Sequence, residues 1–219
     1  MSVDKQLENA ILKKIFSDAR SVCIDDVIAV GGYLNSDILS FAYDRGVFPW
    51  PHEGYPMLWF SPEKRGVIDF EDLHLSRSFK KWMKKNSDLY EVRMNTQFSE
   101  VVRQCKKQAR KGQKGTWINS EIEKAYLDLF KLDRAFSLEI YRQGELMGGI
   151  YGVKSAKYYS CESMFHKEDN TPKLELYEHI KRLQIENVAW IDIQMVTSVC
   201  ESFGGKYLSK KEFLERLRS

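Results

Sequence analysis

Three apolar stretches separated by short polar turns occupy the middle of the chain. Residues 135–141, 146–153 and 158–165 read as strands. Arg142-Gln143-Gly144-Glu145 and Lys154-Ser155-Ala156-Lys157 lie between them, so the pattern predicts an antiparallel meander. Helical spacing governs other segments. Ile38, Leu39, Ala42 and Tyr43 share a face within 36–45. Ile122, Ala125, Tyr126 and Leu129 do so in a helix from about Glu121, where Ser120 and Glu123 have the spacing of a capping box. After the meander come a helix over about 172–184, with Pro172 near its start, and an apolar run over 190–196. A short helix then ends at Gly204-Gly205, and Ser209 and Glu212 form a second capping-box pattern. Strands, a helix and a strand returning to the same sheet predict a mixed α/β (α+β) fold.

The run over 190–196 is interrupted by two polar residues: Trp190-Ile191-Asp192-Ile193-Gln194-Met195-Val196. Side chains alternate along a strand, so Asp192 and Gln194 share a face. An unpaired carboxylate there is costly to bury, so the pair is either a satisfied structural contact or part of a site. On the third meander strand Ser160, Glu162 and Met164 share a face, again with an acid among apolar neighbours. Glu162, Asp192 and Gln194 are therefore candidates to converge on one cleft.

Composition narrows the classes. A chain of 219 residues, 43% hydrophobic, can bury a substantial core. The net charge of +3 excludes a polycation, so affinity for nucleic acid has to come from local patches. Two such patches exist: Arg77, Lys80, Lys81, Lys84 and Lys85 on one predicted helix, and Lys106, Lys107, Arg110, Lys111 and Lys114 at the end of a second and in the following loop. No acid interrupts either run, which suits phosphate neutralisation as well as a solvated face. Cys23, Cys105, Cys161 and Cys200 make no CxxC, and His52, His74, His166 and His179 make no metal-ligand spacing. Residues 1–20 mix charge with apolar positions, unlike a signal peptide, and no run reaches the ~20 apolar residues of a membrane span. A cytoplasmic protein with no metal and no membrane partner is expected. Four of the five prolines fall between Pro49 and Pro62, which places a domain boundary there, giving 1–62 and 63–219.

No GxSxG or cysteine–histidine nucleophile stands out. An enzyme built this way would join an already activated acyl group to the substrate's own nucleophile, by positioning and proton handling. The motifs Gly31-Gly32-x-Leu34, Tyr43-x-Arg45-Gly46-x-Phe48-Pro49-Trp50, Leu58-Trp59-Phe60-Ser61-Pro62, Leu73-His74-Leu75-Ser76-Arg77-Ser78, Gly115-Thr116-Trp117-Ile118, Gly148-Gly149-Ile150-Tyr151-Gly152-Val153, Glu162-Ser163-Met164-Phe165 and Ile191-Asp192-Ile193-Gln194 resemble, in order and spacing, the leucyl/phenylalanyl-tRNA–protein transferases. The resemblance runs from about Gly31 to the C-terminus.

That resemblance implies a small N-terminal domain and a GNAT-type acyltransferase domain. It implies transfer of Leu or Phe, with Met as a further candidate, from aminoacyl-tRNA to the N-terminal amine of an acceptor protein beginning with Lys or Arg. The product is a degradation signal of the N-end rule. No coenzyme is implied, because the aminoacyl ester is itself activated. Position by position, Asp192 and Gln194 match the catalytic pair and Glu162 an acid near the aminoacyl group. Ile150, Met164 and Leu176 match the side-chain pocket, and Tyr43, Trp50, Trp117 and Tyr126 the substrate entrance. In this reading Asp192 holds Gln194 by a hydrogen bond and Gln194 aligns the acceptor amine. Tyr33, Phe136, Cys161, Pro172, Val199 and Lys210 depart from the family pattern and leave amino-acid and acceptor preference open. Three other readings stand beside this one. A coenzyme-A-dependent N-acetyltransferase would need a glycine-rich phosphate loop, whereas His166-Lys167-Glu168-Asp169-Asn170-Thr171-Pro172 has no glycine. The others are a catalytically idle tRNA-binding module and transfer to a non-protein acceptor.

Overall fold

The meander closes where turn chemistry dictates. Gln143 and Gly144 both adopt positive φ, 52° and 81°, the geometry of a two-residue hairpin turn that matches strand twist. They join β6 (Ala135–Arg142) to β7 (Glu145–Lys154), which pairs in turn with β8 (Tyr159–His166). The computed structural model describes residues 3–17, 26–109 and 116–218. Before the meander lie α1 (Val3–Ser17), β1 (Val27–Val30), α2 (Ser36–Tyr43), β2 (Phe48–Pro49), β3 (Leu58–Phe60), β4 (Lys64–Asp69), α3 (Arg77–Asn86), β5 (Glu91–Met94), α4 (Phe98–Lys107) and α5 (Ser120–Lys131). After it come α6 (Thr171–Ile185), β9 (Trp190–Gln194), α7 (Ser198–Glu201), β10 (Lys206–Ser209) and α8 (Lys210–Arg216).

Two sheets result: β1-β3-β2, and a seven-stranded sheet in the order β10-β4-β9-β8-β7-β6-β5. In the larger sheet β8 and β9 run parallel, joined by the crossover helix α6, and the other neighbours are antiparallel. This is the mixed α/β sheet that the sequence predicts. Helices α3 and α6 cover one face through Phe79, Leu176, Ile180 and Leu183. On the other face one continuous core joins Tyr43, Val47 and Phe48 of the N-terminal segment to Val101, Tyr126, Tyr151 and Phe213.

Three expectations change in detail. Strand β9 stops at Gln194, two residues short of Val196. The cap of α5 is Asn119, whose side chain accepts from Ile122 N at 2.9 Å. Ser120 is thus the first helical residue, and Glu123 pairs with Lys106 instead of closing a capping box. The Ser209–Glu212 capping box does form. The β4 and β10 strands, short and flanked by charge, carry no strong periodicity.

Helix α6 buries two titratable groups against the sheet. Glu175 is 0% and His179 1% exposed, and neither makes a well-formed side-chain hydrogen bond. The His179 ring stacks on Phe136 with centroids 4.4 Å apart. Burial raises the Glu175 carboxyl well above the usual carboxylate range, opposed by the Gly149 backbone. Burial, aided by Arg182, lowers His179 to about 3. His179 is therefore neutral in the fold and charges on unfolding, so stability falls as pH drops from ~6.5 toward ~3. At pH 5, about 1.5 units below the unfolded value, the loss is about 2 kcal/mol. His179→Gln is expected to flatten this acid slope in urea titrations between pH 7 and 5. An unchanged slope would assign the acid sensitivity elsewhere.

Candidate active site

The parallel pair β8–β9 is joined at two register positions, Tyr159↔Ile191 and Ser160↔Asp192. Beyond them the strands part, and a cavity of about 240 Å³ opens at the gap. Phe48, Trp50 and Trp117 line it from one face of the sheet, Ile150, Leu176 and Cys200 from the other. Glu162, Met164, Ile193 and Gln194 come from the parted strands themselves. The three expected pocket residues Ile150, Met164 and Leu176 thus share one cavity.

Two local irregularities aim the polar groups. On β8, Ser163 faces Tyr151 while Cys161 faces Gly152, so Glu162 is the extra residue of a β-bulge, a device that redirects a side chain. On β9, Gln194 has φ 57°, a left-handed conformation uncommon outside glycine. Met195 N donates to Ile193 O at 2.5 Å across it, making a three-residue turn. Gly66 on the neighbouring strand leaves room for this turn, since a Cβ there would meet the Met195 backbone at 3.0 Å. The outcome is that Gln194 Nε2 donates to both Glu162 oxygens at 2.9 Å. Glu162 also accepts from Ser160 Oγ at 2.8 Å and from Tyr126 OH at 3.3 Å. Burial pushes the Glu162 carboxyl above its ordinary range, against the pull of its donors, and the Asp192 carboxylate adds to the rise.

Asp192 differs from expectation. It is 0% exposed and does not line the cavity. Arg65, itself 1% exposed, donates Nε to Oδ1 at 2.9 Å and Nη2 to Oδ2 at 2.6 Å. Oδ1 also accepts the backbone N–H of Gln194 at 2.9 Å. Asp192 therefore holds the main chain of Gln194, not its side chain, and the side-chain amide belongs to Glu162. Burial alone would lower the Arg65 guanidinium; the adjoining Asp192 carboxylate outweighs it and holds Arg65 above its usual value.

The four entrance aromatics also separate. Trp50 and Trp117 stand on the cavity wall. Tyr43 and Tyr126 are fully buried behind Glu162, with their hydroxyls 2.5 Å apart. Burial raises both phenols well above their usual value, and a buried hydroxyl has to find a partner, which these two supply to each other and to Glu162. Sequence reasoning missed Arg65, Ile193 and Cys200, and placed Ser160 on the face of Glu162 without giving it a role. The signal for Arg65 was weak: a basic residue beside Lys64 in a short strand.

Arg77, Lys80, Lys81, Lys84 and Lys85 are all exposed, opposite the buried Phe79 of α3. In the second cluster Lys107 is exposed, and Lys106 lies 3.2 Å from Glu123, an acid far away in sequence. Arg110, Lys111 and Lys114 fall outside the described residues, as do Gly115 and Cys23. Among the described residues no three His, Cys, Asp or Glu side chains group as metal ligands, and no helix is long and apolar enough to cross a membrane.

Residues 67–218 match the family model described as leucyl/phenylalanyl-tRNA protein transferase, and residues 32–63 match its N-terminal domain model. The leucyl/phenylalanyl-tRNA–protein transferase of Flavobacterium johnsoniae is 37% identical over 195 residues, covering 89% of this chain and 91% of that one. The enzyme of the same description from Chromobacterium violaceum is 40% identical over 192 residues, covering 88% and 81%. A conserved protein of unknown function from Bacteroides thetaiotaomicron shares the fold, with TM-score 0.50 and 12% identity over 96% of this chain and 71% of that one. The family match and the relatives together define an aminoacyltransferase. More particularly, the chain belongs to the leucyl/phenylalanyl-tRNA–protein transferase family.

Proposed function

We propose that this protein moves Leu, Phe or Met from its tRNA to the N-terminal α-amine of proteins that begin with Lys or Arg, marking them for N-end rule degradation in the cytoplasm. The GNAT-type reading of residues 63–219 and the separate N-terminal unit 1–62 belong to this proposal. The observation that carries it is the fixed Glu162–Gln194 pair at the wall of an apolar cavity inside a family of aminoacyltransferases. Ile150, Met164, Leu176 and Ile193 receive the aminoacyl side chain. Trp50 and Trp117 flank the entry.

The chemistry needs no strong base. An α-amine has pKa ~7.7–8, so part of it is neutral near pH 7. Glu162 accepts only hydrogen bonds when ionised, and so forces the Gln194 amide to present Nε2 to it. Among the described residues nothing donates to Gln194 Oε1. That oxygen is left to accept an N–H of the incoming amine and aim its lone pair at the ester carbonyl. A C–N bond forms, the C–O bond to the tRNA ribose breaks, and the amine proton goes to the ribose oxygen. Asp192 acts from behind, on the Gln194 backbone.

One assay tests the reading: tRNAs charged with each radiolabelled amino acid, offered to peptides starting with Lys, Arg or Ala. Leu, Phe and Met are expected on Lys- and Arg-initiated peptides. Val is one methylene smaller than Leu, a difference worth about 1–3 kcal/mol or ~10–200-fold in an apolar pocket, and Ile, an isomer of Leu, carries its branch at Cβ in a pocket for side chains unbranched there, so both are expected to transfer at least about tenfold more slowly than Leu. Equal transfer of Ile and Leu overturns the pocket assignment. Transfer of no label at all overturns the function.

The exposed face of α3 is the proposed phosphate surface. Each lost phosphate contact lowers the salt slope of binding by about 0.7–0.9. Lys80→Glu with Lys84→Glu is expected to weaken tRNA binding and flatten log Kd against log salt by about 1.5. An unchanged slope rules this surface out.

A further inference from the structure

We propose that Arg65 is a positioning residue of aminoacyl transfer, one guanidinium that sets two walls of the cavity at once. The inference rests on the transfer reading above and deepens it. On one side Arg65 grips Asp192 with two hydrogen bonds, and Asp192 Oδ1 passes the constraint to the backbone N–H of Gln194. On the other side its Nη1 points to Gly46 O at 3.4 Å, and its Cζ lies 4.5 Å from the centre of the Phe48 ring. Phe48 and the following Pro49 and Trp50 line the cavity. The ring of Phe213 stands 4.8 Å away and completes the cage.

A guanidinium suits this task because its planar fork meets a carboxylate with two parallel bonds and has a donor left over. The arrangement also does more than keep a buried charge satisfied. A buried ion pair is often replaceable by neutral side chains of similar volume with no loss of stability. Here Asp192 Oδ1 is shared between Arg65 and Gln194, and the turn at Gln194 lies in a region that residues other than glycine enter only when their surroundings hold them there. Without Arg65, the Asp192 carboxylate keeps only Ser160 Oγ, at 3.2 Å, and the Gln194 N–H as partners, and the turn loses the two-bond grip that fixes it. The Gln194 amide would then leave the line set by Glu162, although neither residue has been altered.

The decisive variant is the double substitution R65M/D192N, which removes both buried charges together. The full chain is assayed for Leu transfer from charged tRNA to a Lys-initiated peptide, with thermal melting and KM for aminoacyl-tRNA measured in parallel. A misplacement of about 1 Å costs ~100-fold in rate. The expected result is a folded protein with KM within about threefold of wild type and kcat at least about 100-fold lower. A folded double variant with wild-type kcat overturns the proposal. The single variant R65K covers the case in which the double variant fails to fold. Lysine keeps the charge yet cannot hold both Asp192 oxygens and Gly46 O, so kcat is expected to fall at least about tenfold with KM little changed. Full kcat in folded R65K likewise overturns the role of Arg65. The two levels stay distinct: a wild-type chain that transfers nothing sinks the proposed function, whereas an active wild type with equally active variants sinks this inference alone.

Discussion

Asp192→Asn is expected to cost about 3–5 kcal/mol of stability, the penalty for stranding one member of a buried ion pair. The substitution keeps size and shape but leaves the Arg65 guanidinium at 1% exposure without its counterion. Whole domains are stable by only ~5–15 kcal/mol, so the urea midpoint should fall steeply at pH 7 with the denaturant slope unchanged. Transfer should slow in the folded fraction as well, because an Asn nitrogen in the place of Oδ2 offers no acceptor to Arg65 Nη2 or Ser160 Oγ. A variant with the wild-type midpoint would mean that the Arg65–Asp192 pair does not hold this part of the fold, and the account of the Gln194 turn would fail with it.

Glu162→Gln is expected to lower kcat by about 10²–10³ while leaving tRNA affinity within about twofold. The variant keeps an acceptor for Gln194 Nε2, but an amide facing an amide can pair either way round, so the orientation of Gln194 is no longer dictated. The pH profile separates this from a loss of fold. Burial raises the Glu162 carboxyl, so the rate should fall as pH drops through that raised value, when the carboxyl takes up a proton and becomes a donor. In Glu162→Gln this acid limb should vanish, leaving a low rate that does not change there. Persistence of the same limb in the variant would assign it to another group.

The site was partly legible in the chain because its key residues break a pattern. Asp192 and Gln194 interrupt an apolar run, and Glu162 interrupts another. Alternation alone then suggested that they meet. It did not show how, because both strands depart from ideal geometry where it matters. Neither the bulged Glu162 nor the left-handed Gln194 is itself a Gly or has one beside it in sequence, and the glycines that face them, Gly152 and Gly66, lie on neighbouring strands, so no local residue announces them. Arg65 was hidden for a different reason. Its partner is 127 residues away, and next to Lys64 it looks like half of a solvated basic pair. The helix cap failed on a near tie: Asn119 and Ser120 are both good caps, and the choice falls to the one whose oxygen reaches Ile122 N. The meander and α6 were readable because turn residues and apolar spacing agreed with the tertiary packing.

The core that runs from Tyr43, Val47 and Phe48 to Tyr126, Tyr151 and Phe213 bears on how such a chain can be recombined. A chimaera that took its first 62 residues from one relative and the remainder from another would cut no surface linker. It would divide a packed interior, and with it the paired hydroxyls of Tyr43 and Tyr126 that stand behind Glu162. Both halves of that seam have to travel together, so the N-terminal segment, although it supplies none of the Glu162–Gln194–Asp192 constellation, is inherited with the cavity that its Phe48 and Trp50 help to wall.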